Sequence, residues 1–141
     1  MKRHLLAVVA YVFATLATQG LSHFLVFGSH YAAVTYMKAE PVFALGIASM
    51  LLQGSVLSFV YTQSRFIEQG LTGALRCAWL FGAFLVSYIA FAEAAKYQVP
   101  DIASWIAVEV GVGVVQFTLI GLLLGLVHRT ASQRRAMPAA R

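Results

Sequence analysis

Residues 102–127, IASWIAVEVGVGVVQFTLIGLLLGLV, form an apolar run that carries one charged side chain, Glu109. A bilayer-spanning helix takes roughly 20 mostly apolar residues, so the run is long enough to cross. A carboxylate inside such a segment is costly and faces protein or water rather than lipid. Three further runs, at 5–27, 42–63 and 73–95, have the same character. The chain therefore reads as an all-α membrane protein, a four-helix transmembrane bundle forming a single domain over residues 1–141. Short connections favour sequential antiparallel neighbours, up-down-up-down.

The composition agrees. The chain is 60% hydrophobic and 11% charged, whereas soluble domains are about 45–50% apolar and 25% charged. The net charge of +5 raises nucleic acid as a partner, but its placement argues against one. Lys2, Arg3, Arg65, Arg76, Arg129, Arg134, Arg135 and Arg141 flank the ends that an even-numbered bundle puts on one side, and only Lys38 and Lys96 fall opposite. Loops rich in Lys and Arg stay cytoplasmic, which predicts both termini inside a cell inner (plasma) membrane. The basic tail 128–141 is expected to be disordered and drawn to anionic lipid. Residues 1–20 have the basic start and small residues of a secretory leader, yet the apolar stretch continues to residue 27, which favours a retained first helix.

Cys77 is the lone cysteine, so neither an intrachain disulfide nor a two-cysteine relay is available. The loop at 28–41 carries His30, Tyr31, Tyr36, Lys38 and Glu40, suiting a headgroup-level segment with aromatic anchors. Pro41 and Pro100 precede the second and fourth helices, Asp101 is expected to cap the fourth, and Trp105 is placed at interface depth. Gly113, Gly121 and Gly125, then Ala83, Ser87, Ala90 and Ala94, then Gly46, Ser49 and Gly54 supply small faces for close helix packing.

Residues three or four apart share a helix face. Thr15, Gln19 and His23 form such a line on the first helix, Ser49 and Gln53 on the second, and Glu109, Gly113 and Gln116 on the fourth. At about 1.5 Å per residue, His23 and Glu109 both lie in the outer half of the membrane, above a layer of Gln19, Gln53 and Gln116. His23, Glu109 and Glu93 can then converge as a site for a small ligand, proton or cation reached from the outer side. The bland alternative is polar glue, worth about 0.6 kcal/mol per hydrogen bond; for Glu93, a solvated pair with Lys96 serves equally. A metal held by His23, His30 and Glu109 has suitable donors but no tight ligand spacing. Haem between axial histidines is weakened because His4 and His128 read as members of basic flanks. The sequence contains no GxSxG, no HExxH and no phosphate-cradling glycine loop, and nothing else in it points to an enzyme. Two roles follow: binding or translocation at His23 and Glu109, helped by homo-oligomer formation, or a non-catalytic accessory subunit of a larger membrane complex.

Overall fold

In a computed structural model, residues 1–34, 38, 40 and 42–136 are described. Helix α1 (Lys2–Leu21) widens into a π-helical stretch, Ser22–Val26, and is followed by the short α2 (Gly28–Ala32). Helix α3 (Phe43–Gln63) leads through a 3₁₀ turn, Arg65–Gln69, into α4 (Gly70–Ser87), which widens in turn at Tyr88–Glu93. The long α5 (Ile102–Ala136) completes the chain, and no strand occurs among the described residues. Tyr36, Pro41 and residues 137–141 lie outside the described residues.

Four segments are long and apolar enough to cross a membrane: Lys2–Val26, Phe43–Gln63, Arg65–Glu93 and Ile102–Ala131. Their outer faces carry Phe13, Phe84 and Leu126, 67%, 76% and 63% exposed. So broad an apolar surface is an interaction surface, and on helices of this length it suits acyl chains. Asp101 caps α5, its Oδ2 accepting the Ser104 amide at 2.6 Å. The tail expected to be disordered is helical through Ala136. The segment HRTASQRRA has no glycine or proline, its Ala, Gln and Arg are good helix formers, and cations suit a helix C-terminus.

The glycines do the close packing. A Cβ on Gly82 would collide with the Phe117 side chain, on Gly113 with Val86, on Gly121 with Leu75, and on Gly125 with Leu71. These four pairs lock α4 against α5, and Trp79 Nε1 adds a 3.1 Å bond to Thr118 Oγ1. Helix α1 meets α3 just as closely at Gly54, where a Cβ would stand 3.0 Å from that of Tyr11. Gly46 departs from the expectation: nothing among the described residues lies within 4 Å of its Cβ position. The two helices separate above the Tyr11–Gly54 contact.

The opposite end of the bundle holds a second polar cluster. Ser58 Oγ lies 2.9 Å from His4 Nδ1 and 3.5 Å from His128 Nε2, with the Tyr61 ring edge-on to His128. His128 is 2% exposed, so reading it as part of a basic flank is corrected. It continues the buried stripe Phe117, Ile120, Leu124 at a spacing of four, while its neighbour Arg129 is exposed.

Candidate functional site

The site begins with the two widened turns. A π-helical turn accommodates one residue more than an α-turn and commonly marks functional positions. At the first, His23 Nδ1 lies 3.0 Å from the Gln19 carbonyl. A carbonyl only accepts, so Nδ1 carries the proton, a tautomer assigned from its partner. At the second, the Ile89 carbonyl accepts from Trp105 Nε1 at 3.1 Å. A backbone carbonyl thus fixes one ring at each widened turn: that of Gln19, in the last turn of α1, holds His23 of the first, and that of Ile89, within the second, holds Trp105.

Between them sits Tyr31, whose contribution the sequence reading missed. Its ring stacks on His23 with centroids 3.7 Å apart and planes 10° from parallel. Its hydroxyl donates to Glu109 Oε1 at 2.8 Å and meets Ser22 Oγ at 3.3 Å. With its proton committed to the carboxylate, Tyr31 receives the Ser22 proton, giving a relay Ser22 to Tyr31 to Glu109. Burial raises the Tyr31 phenol above its ordinary pKa; the Ser22 bond opposes this, and the bond to Glu109 and that group's charge add to it. The phenol therefore stays a donor.

His23 and Glu109 do not bond each other; they share Tyr31 instead. No run-length or spacing argument within the long helices could find Tyr31, because it lies on α2, in what reads as a loop. The signal available was its single turn of separation from Phe27 and its proximity to His30.

Below this layer the glutamines divide. Gln19 Nε2 donates to Gln116 Oε1 at 2.7 Å, and Gln116 Nε2 donates to Thr15 Oγ1 at 3.2 Å. Gln53 joins a separate set, accepting from the Tyr11 hydroxyl at 2.7 Å and donating to Ser49 Oγ at 2.9 Å. His23, Gln19, Gln53, Gln116 and Glu109 all line one cavity of about 450 Å³ among α1, α3, α4 and α5. Glu93 does not line it; it lies half-buried at the end of the second widened turn, its carbonyl accepting from the Lys96 and Tyr97 amides. Two roomier hollows, one beside Gly82 and Trp79 and one beside Gly111, are lined mainly by apolar groups.

Glu109 is 6% exposed. Its Oε2 bonds to no described residue and is not fully enclosed. No Lys or Arg lines the cavity among the described residues.

His30 is drawn inward rather than left on the surface, stacked on Trp105 at 5.9 Å and 3.5 Å from Ser104 Oγ, with its Nε2 enclosed and unpartnered among the described residues. Trp105 is 2% exposed, packed with Tyr31 of α2 and Val34. With the Tyr31 ring interposed, His23, His30 and Glu109 do not assemble as ligands: no group of three or more His, Cys, Asp or Glu among the described residues is placed to hold a metal ion. For haem, His4 and His128 stand edge to face at 5.8 Å, each with a ring nitrogen turned to Ser58 Oγ.

Replacing Tyr31 with Phe keeps the ring stack and removes the one side-chain donor to Glu109 among the described residues. A bond to a charged group contributes about 1.5–3 kcal/mol, so Tyr31→Phe is expected to lower bundle stability by about that amount. Thermal unfolding in mild detergent checks this; an unchanged midpoint would show that Glu109 does not depend on the phenol. In comparisons with known protein families, characterised proteins and solved structures, the chain has no match.

Proposed function

We propose that the protein is a multi-pass inner-membrane protein that binds, and in an oligomer translocates, a small cation or proton at Glu109. The observation that carries this reading is a carboxylate held in a cavity of the membrane-spanning region, with one oxygen unengaged and no Lys or Arg lining the cavity among the described residues. An unpaired buried charge is costly, and a bound cation or a proton removes that cost. The orientation places both termini and the turn at 65–69 in the cytoplasm, in line with the basic flanks. It accords with the contact pairs 82–117, 86–113, 75–121 and 71–125, which run in opposite directions along α4 and α5.

A second reading, an accessory subunit, draws on Gly111, which has nothing among the described residues within 4 Å of its Cβ position and leaves room for a partner helix. Co-purification of a stoichiometric partner in mild detergent would favour it.

The test of the first reading is titration in nanodiscs with protons, sodium and methylammonium, read by the fluorescence of Trp105 in a Trp79→Phe background. Glu109→Gln keeps the shape and the Tyr31 bond but removes the charge. Truncating one side of a buried charge pair costs about 2–5 kcal/mol, so affinity for the responding cation is expected to fall about thirtyfold or more. Unchanged affinity and liposome flux would remove the proposal.

A further inference from the structure

Resting on the site just proposed, we infer that its ligand is an amphipathic amine whose ammonium group meets Glu109 while its apolar tail stays in the bilayer, reached through a lateral opening between α1 and α3. Two independent observations carry this, one about the head and one about the tail.

The head follows from the unengaged atoms. Glu109, His23 and Gln19 line the cavity, and their Oε2, Nε2 and Oε1 atoms have no hydrogen-bond partner among the described residues. With Nδ1 protonated toward the Gln19 carbonyl, neutral His23 presents Nε2 as an acceptor. These atoms are a carboxylate oxygen, an imidazole nitrogen and an amide oxygen, all suited to a donor that carries positive charge. A primary ammonium offers three donors and no acceptor, whereas a carboxylate or phosphate would meet only repulsion from Glu109.

The tail follows from the wall. Helices α1 and α3 touch at Tyr11 and Gly54, but above that contact the Cβ positions of Gly20 and Gly46 meet nothing within 4 Å among the described residues. Leu16, Phe24 and Phe43 line the same cavity while remaining 46%, 71% and 68% exposed. The gap is therefore rimmed by groups that face acyl chains. An aqueous mouth would instead be rimmed by polar side chains.

The closing experiment compares butyl-, octyl- and dodecylammonium with dodecanol on the full chain in zwitterionic nanodiscs, again by Trp105 fluorescence in Trp79→Phe. If the bound tail stays in hydrocarbon, affinity referred to free aqueous amine rises about fourfold per methylene. Glu109→Gln is expected to weaken every amine about thirtyfold and leave dodecanol unaffected. Gly46→Leu, placed where there is room, is expected to weaken dodecylammonium at least about tenfold while sparing butylammonium. Affinity that is flat across the amine series, or a Gly46→Leu variant with unaltered dodecylammonium binding, overturns the lateral route while leaving the Glu109 site standing. Dodecanol binding as tightly as dodecylammonium overturns the amine class. Failure of all amines together with the simple cations sinks the site itself. Far-ultraviolet circular dichroism of each variant confirms that a loss of binding is not a loss of fold.

Discussion

Trp105→Ala is expected to destabilise the bundle by about 3–5 kcal/mol, the range for removing a large buried aromatic. The ring is 2% exposed and anchors the cluster it forms with Tyr31 and Val34. His30 stacks on it and Tyr31 meets it edge-on at 6.2 Å. Truncation opens a void beneath α2 and also strips the Ile89 carbonyl of its donor. Trp105→Phe separates the two contributions: it retains most of the packing and loses one hydrogen bond, a deficit of about 0.5–1.5 kcal/mol. Thermal unfolding in dodecyl maltoside, followed by circular dichroism, distinguishes the variants. An alanine variant within about 1 kcal/mol of the parent would show that α2 is not held by this ring.

Gly73→Val is expected to be as damaging for a different reason. A Cβ at Gly73 would run into the carbonyl of Phe66 and the Cβ of Gln69. Most of the obstacle is backbone, so no rotamer change relieves it. The 3₁₀ turn at Arg65–Gln69 folds back onto the first turn of α4, closed by Gly70 at φ 61°, a conformation that favours glycine. Overpacking a well-filled site costs about 1–3 kcal/mol when side chains can adjust, and a rigid carbonyl moves the effect to the upper end or beyond. Gly46→Ala is the contrasting control. With open space at its Cβ position it is expected to gain about 0.5–1 kcal/mol from helix propensity. Urea-free thermal scans of the two variants should therefore move in opposite directions; equal shifts would refute the packing argument.

Much of the architecture was legible because long apolar runs have few alternatives. The four spans, the Asp101 cap and the packing role of Gly54, Gly113, Gly121 and Gly125 all follow from length, spacing and residue size. Five of the six candidate site residues share one cavity because the helix period puts them on inward faces. Glu93 escaped that logic, since the widened turn at Tyr88–Glu93 shifts the face on which it falls. Tyr31 and Trp105 escaped it too: their burial depends on a short helix folding over the bundle end, a tertiary event that periodicity does not record. His128 looked like part of a charged flank because its sequence neighbours are basic, whereas its helical neighbours are buried.

The widened turn at Ser22–Val26 has a consequence for how the chain tolerates change. Because it takes in one residue beyond the ordinary repeat, deleting a single position there would let the helix close up with its ladder intact. The residues beyond it would stay close to their places, with Tyr31 still near the carboxylate, whereas the same deletion in the regular part of α1 would turn everything downstream by about 100° around the axis. The widened turn is thus the point at which the first helix can shed a residue without turning its continuation.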